Sequence, residues 1–230
     1  MVTYDKQTIN NPNPIARYAH RNRLMRVRAL IESEFGIHKL LDYGCGSGQF
    51  IKSIHGINGI NAFGYEPYMS ERVSDDSQIY TEFSTAKIKG PFDVITIFET
   101  IEHLDERELL EFLDRANEIL TADGKILISA PIEIGPALLM KEITRCFLHK
   151  RRPENNLLEL LLASFFGLPA KRAVNVKNSH KGFDFRDVIH FLECHFGPIK
   201  IASYGPLPIR TWYGNSQVYF WLTKKIPVQN

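Results

Sequence analysis

Short apolar runs alternate along this chain with stretches whose apolar residues recur every three or four positions. The first such stretch, residues 15–35, carries Leu24, Val27, Leu30 and Ile31 at helical spacing and predicts a helix. The Asn- and Pro-rich residues 1–14 before it read as a flexible lead-in. Compact apolar runs at 38–42, 62–66 and 94–98 have strand length, and 78–83 predicts a further short strand. A helix opens at 48–55. Another spans 106–120, with Leu109, Leu110, Leu113, Ile119 and Leu120 facing inward. After a turn at Asp123-Gly124, residues 125–130 form the next strand. Strands and helices alternating at this spacing argue for a parallel sheet covered on both faces.

The alternation breaks at Ile134. Two apolar helical patches, 137–147 and 156–166, flank Lys150-Arg151-Arg152-Pro153 and make a helical insert or cap over about 134–176. A helix at 185–195 then leads to strands at 200–204 and 216–223, joined by a loop containing Gly205, Pro206 and Pro208. Two strands in direct succession must pair antiparallel or separate. The expectation is one α/β domain over residues 1–230, with a doubly wound, mostly parallel, seven-stranded sheet and an antiparallel final strand.

Composition narrows the partners only a little. Hydrophobic content of 44%, charge of 23% and a net charge of +2 are ordinary for a globular chain and select no ligand. The five arginines of the first helix, Arg17, Arg21, Arg23, Arg26 and Arg28, read as a solvated basic face ahead of an RNA-binding stripe. A helix lying over a ligand is the third possibility. Cys45, Cys146 and Cys194 are widely spaced and form no CxxC pair, which suits a reducing, cytoplasmic setting. His190, Cys194 and His195 lack a fourth ligand and read as helix-surface residues, so no metal is assigned. The first residues lack an apolar signal core, and no apolar run approaches the roughly 20 residues that cross a bilayer.

The chemistry concentrates at Leu40-Leu41-Asp42-Tyr43-Gly44-Cys45-Gly46-Ser47-Gly48. Glycines here let backbone amides approach a ligand where a Cβ would collide. A second acid, Glu66, closes the next apolar run, where it can accept two hydrogen bonds from vicinal ribose hydroxyls. The dinucleotide fingerprint needs a small residue at position 49, which is Gln49. A phosphate loop needs Gly-Lys-Ser/Thr, and Gly48 is followed by Gln49-Phe50. A nucleoside that is neither a dinucleotide nor a triphosphate remains.

These residues resemble the class I S-adenosylmethionine-dependent methyltransferases. Asp42-x-Gly44-x-Gly46-x-Gly48 is similar to that family's glycine motif, and Glu66 to its ribose-binding acid. Phe92-Asp93-Val94 through Ile101-Glu102-His103-Leu104 resembles its fourth strand and the Glu-His beyond it. Asp123-Gly124-Lys125 leading to Ala130-Pro131 resembles its fifth. The resemblance covers residues 38–131 and implies a Rossmann-like methyltransferase fold, S-adenosyl-L-methionine as cofactor and S-adenosyl-L-homocysteine as product. It places Asp42, Gly44, Cys45, Gly46, Gly48, Glu66 and Pro67 against the cofactor, with Tyr68 near the adenine and Glu82 or Phe83 bordering the base. Phe98, Glu99 and His103, beyond the fourth strand, are also placed at the cofactor. The thiol of Cys45 itself reads as a small filler, since nothing near it in sequence supplies a base.

An oxygen nucleophile needs a proton acceptor, and His180, in a polar loop before a helix, and His103 are the candidates. For both, a structural hydrogen-bonding role is the alternative. The Asn/Asp-Pro-Pro-Tyr/Phe signature of amino methylation is missing, because Glu99-Thr100-Ile101-Glu102 stands in its place. The expectation is an enzyme methylating oxygen on a small molecule, a glycan or a lipid-linked precursor, with nucleic acid disfavoured. An RNA-directed enzyme and a cofactor-binding protein without catalysis are the competitors. The insert packs on the domain, contacts a membrane surface or forms a dimer interface, in a monomer or homodimer.

Overall fold

Strands whose side chains meet helices on both faces are mainly apolar, and the inner strands of this sheet are so apart from a few buried polar residues such as Asp42, Thr96 and Ser129. In the computed structural model, which describes residues 14–68, 78–149, 152–172 and 180–224, helix α1 (Pro14–Glu32) precedes β1 (Lys39–Tyr43), α2 (Gln49–Ile54) and β2 (Asn61–Tyr65). Then come β3 (Ile79–Tyr80), α3 (Phe83–Ile88), β4 (Phe92–Ile97), α4 (Glu106–Ile119) and β5 (Leu120–Pro131). Helices α5 (Pro136–His149), α6 (Leu157–Phe166) and α7 (Phe185–His195) are followed by β6 (Ile199–Gly205) and β7 (Gln217–Thr223). The expected lead-in lies outside the described residues except for Pro14, as do Lys150 and Arg151.

Among the described residues seven strands form one sheet in the order β3-β2-β1-β4-β5-β7-β6. The first five pair parallel, while β7 runs antiparallel to both β5 and β6. Alternating side chains divide the core in two. Leu41, Ile95, Ile97, Ile126 and Phe220 point to the layer of α4 and α7. Leu40, Ala62, Val94, Leu127 and Tyr219 point to that of α1 and α2. Each fully buried Ile or Leu contributes about 2 kcal/mol.

Local signals set the helix ends. Asp105 and Glu108 form a reciprocal capping box that starts α4, and Asn156 with Glu159 does the same for α6. Asp93 takes the place of a strand partner at the start of β1, accepting from the backbone N–H of His38 (2.8 Å) and Lys39 (2.9 Å).

Four expectations change. Leu110, expected to face inward, is exposed on α4. The third strand shrinks to two residues, and a helix that the apolar pattern did not reveal, α3, follows it because Glu82 in extended conformation opens a turn. The Asp123-Gly124 turn is a bulge within β5, between the pairs Phe92–Leu120 and Val94–Lys125. The arginine face of α1 is divided. Arg17, Arg21 and Arg28 are exposed, whereas Arg23 pairs with Glu99 and Arg26 donates to Ser203 Oγ at 2.6 Å. Helical spacing could not show this, because the acceptors stand at distant positions of the chain. No helix among the described residues is long and apolar enough to cross a membrane.

Candidate active site

Register builds the floor of the site. Asp42 on β1 lies between Gly64 of β2 and Thr96 of β4, on the face turned toward α1 and α2. Thr96 Oγ1 donates to Asp42 Oδ1 at 2.7 Å. Burial pushes the Asp42 carboxyl up to about 7; the Thr96 hydroxyl opposes this and the Glu66 charge adds to it.

The chain then turns through Gly44, Gly46 and Gly48, with φ of 78°, 53° and 72°. This left-handed region favours glycine, and a Cβ on Gly44 would also stand 2.8 Å from Thr100 Oγ1. The turn is tied to β2, since Gly44 N–H donates to the Tyr65 carbonyl at 2.8 Å and Gly46 N–H to Glu66 Oε2 at 3.0 Å. Glu66 Oε1 accepts from Tyr68 N–H at 3.2 Å. An ionised carboxylate offers about four acceptor positions, so two are left for a diol. Cys45 is buried against Gly64, where a Cβ would lie 3.1 Å from its own Cβ. That is packing of the kind a small filler provides.

A crevice opens at the carboxyl ends of β1 and β4, lined by Asp42, Gly44, Cys45, Phe98 and Glu99. Phe50 and Phe98 meet edge to face there, with ring centres 5.0 Å apart. Glu99 is a non-glycine residue at φ 49°, a conformation that costs on the order of 1–3 kcal/mol and clusters at functional sites. Its carboxylate pairs with Arg23 from α1 and accepts from Gln217 on β7. Helix α1 thus lies over the crevice through Arg23, Leu24 and Val27, and Tyr219 of β7 forms part of the wall.

Beside this crevice the turn Ile101–His103 brings Glu102 and His103 to the loop of His180. The His103 and His180 rings are 5.2 Å apart, and His180 Nδ1 is 3.8 Å from Glu102 Oε1. Glu102 is 2% exposed. Among the described residues neither oxygen of its carboxyl group finds a hydrogen-bond partner in another residue. Burial first, and the nearby Glu99 charge second, push that carboxyl up to about 8. Burial lowers the His180 imidazole below its ordinary value. The loop is fixed by Lys181, which donates to Glu159 Oε2 of α6 at 2.7 Å, while Arg172 donates to the Glu102 carbonyl at 2.7 Å. The insert therefore buttresses the histidine.

The structure brings Asp42, the three glycines, Cys45, Glu66, Phe98 and Glu99 together, and gathers His103 with His180 next to them. Pro67 and Tyr68 are exposed just beyond Glu66. Phe83 packs against Tyr65, with the Arg115 guanidinium 5.0 Å from its ring, in the core layer on the opposite face of the sheet from Asp42. His195 stacks on Phe191 and donates to its carbonyl, so it turns onto its own helix. No local pattern marks Tyr219, and the basic face of α1 does not single out Arg23 from its neighbours. The isolation of Glu102 escaped the sequence reading, although Glu102 was in view beside His103.

The strand order, the antiparallel β7, and an acid–glycine turn–acid constellation at the strands' carboxyl ends define a class I S-adenosylmethionine-dependent methyltransferase. A family model described as a methyltransferase domain matches residues 13–160, and the chain belongs to that family. No curated protein matches the chain. Among solved structures, it is similar to an S-adenosylmethionine-dependent methyltransferase from Archaeoglobus fulgidus, with TM-score 0.54 and 16% identity over 92% of this chain and 100% of the other. The magnesium protoporphyrin IX methyltransferase of Synechocystis, with bound S-adenosylhomocysteine, gives TM-score 0.51 and 15% identity over 93% and 88%. The plantazolicin methyltransferase BpumL, in complex with an analogue and S-adenosylhomocysteine, gives 0.55 and 14% over 95% and 88%. At these identities the likeness is one of fold. The enzyme uses S-adenosylmethionine as methyl donor.

Proposed function

We propose that the enzyme methylates an oxygen of a small molecule, a glycan or a lipid-linked precursor, and that His180, with His103, takes the proton from that oxygen. The observation that carries this reading is an imidazole facing a buried carboxyl group beside the crevice, with Nδ1 of His180 3.8 Å from Glu102 Oε1. The bound cofactor supplies an activated methyl group on a sulfonium. What the protein must add is alignment, exclusion of water and a proton acceptor. The division of the arginine face, with Arg23 and Arg26 tied to Glu99 and Ser203, argues against an RNA track. Exposed Met140, Phe147, Leu157, Leu158 and Phe166 on α5 and α6 support an acceptor carrying a lipid portion. The neighbouring structures include enzymes for a porphyrin and for plantazolicin, so the fold accepts bulky non-nucleic acceptors.

With labelled S-adenosylmethionine, a panel of hydroxyl, amine and RNA acceptors should show transfer to hydroxyl compounds and none to RNA. Transfer to amines alone would sink the oxygen assignment.

In this reading Glu66 holds the ribose diol, Asp42 faces the methionine ammonium, and Tyr68 borders the adenine. Calorimetry tests the grip. Glu66→Ala should weaken S-adenosylhomocysteine at least about tenfold, since a charged hydrogen bond contributes about 1.5–3 kcal/mol. Asp42, with its carboxyl at about 7, must ionise to meet the ammonium, so binding should strengthen by up to about tenfold per pH unit as pH rises toward 7. At still higher pH, once the ammonium itself loses its proton, the gain reverses. Asp42→Asn should flatten the lower limb. An unchanged slope in that variant removes Asp42 from the ammonium.

A further inference from the structure

We propose that Glu102, His103 and His180 form a divalent-cation site beside the methyl-donor crevice, which activates the acceptor oxygen. The inference deepens the oxygen-acceptor reading and rests on it for the cation's use, though not for its binding.

The three residues come from a tight turn after β4 and from a loop far along the chain, yet their ligand atoms lie within 4.8 Å of one another. Octahedral ligands at about 2.1 Å from a cation stand about 3 Å apart, so closing on an ion asks for side-chain rotations of about an ångström. Glu102 is 2% exposed, and neither its carboxyl oxygens nor His180 Nδ1 has a hydrogen-bond partner in another described residue. Burying polar atoms in that state costs about 1–3 kcal/mol each, more for a charged group, and a native fold seldom leaves them so without a use. The nearby charges do not supply the missing partner. Lys141 pairs with Glu133 and Arg23 with Glu99, while Arg172 donates to the backbone carbonyl of Glu102 and not to its carboxyl group.

A carboxylate with two imidazoles is the donor set of borderline divalent ions such as Mn²⁺, Co²⁺ and Zn²⁺, whereas Mg²⁺ prefers oxygen alone. Three protein ligands leave positions for the acceptor, and one hydroxyl or two adjacent ones fit that need. A hydroxyl held there loses its proton to water more readily. Its oxygen pair then forms the bond to the methyl carbon while the carbon–sulfur pair returns to sulfur. With the cation bound, His180 and His103 act as its ligands and the proton leaves to water, in place of the proton-acceptor role they have without it.

The test uses the full chain, stripped with a chelator and titrated with Mn²⁺, free ion being read by electron paramagnetic resonance, with Zn²⁺ and Mg²⁺ followed in parallel by calorimetry. The expected result is one Mn²⁺ or Zn²⁺ per chain. Glu102→Gln and His180→Ala should each weaken it at least about tenfold while S-adenosylhomocysteine affinity holds. His180 is partly exposed, so its variant keeps the test decisive if the Glu102 variant does not fold. No stoichiometric binding of either ion, or equal binding in the His180 variant, overturns the site. Should neither ion bind while hydroxyl methylation survives chelation and still depends on His180, the site falls and the acceptor reading stands. If the ion binds through these residues and no hydroxyl compound is methylated, the site stands and the acceptor reading falls.

Discussion

His180→Ala is expected to lower kcat by about 100-fold or more while leaving the affinity for S-adenosylhomocysteine unchanged. Loss of a positioned proton acceptor, or of a group that activates the acceptor, removes about 10²–10⁴ in rate. The two readouts separate because His180 stands with Glu102 and His103, whereas Asp42, Gly46 and Glu66 carry the proposed cofactor grip. Lys181 holds the loop to Glu159 independently of the ring, so the variant should fold. Partial recovery of turnover by added imidazole would mark a chemical role, since a purely structural histidine would not respond. Weakened cofactor binding with an unchanged kcat would put His180 in the wrong part of the site.

Gly182→Ala should cost at least about 3 kcal/mol of stability. Gly182 has φ +73°, and an added Cβ would stand 2.6 Å from Arg172 N and 2.7 Å from Arg172 Cα, and would also overlap the Ala170 carbonyl. These are backbone atoms, which cannot swing aside as a flexible side chain would. For a chain of this size the loss corresponds to a fall of about 6–12 °C in the unfolding midpoint. Differential scanning fluorimetry reads it, and a midpoint within about 2 °C of the unsubstituted enzyme would refute the overlap. In any variant that folds, the displaced loop should carry His180 off Glu102 and depress turnover more than cofactor binding.

These two positions show where sequence reading stopped. Gly182 is one glycine among many until the 170–172 segment is seen lying across it. His180 and Glu102 are 78 positions apart, and nothing local says that they meet. The glycine turn and Glu66 were legible because their chemistry lies in neighbouring β–α–β elements, so spacing along the chain stands in for distance.

Arg23 illustrates the reverse. On helical periodicity it belongs to a solvated basic face, and only the docking of α1 over the crevice turns it onto Glu99. The resemblance sets Glu82 or Phe83 at the base, while the helix that opens at Phe83 turns its ring to Tyr65 and Arg115.

By itself the sequence determined the sheet class, the order of its strands and the glycine turn after β1, because hydrophobic period and glycine spacing are short-range properties. The tertiary structure alone decided that α1 closes the crevice, that the insert braces the His180 loop, and that a buried carboxyl group faces two imidazoles. Each of these depends on contacts between segments far apart in the chain, where the packing of whole elements sets the distance.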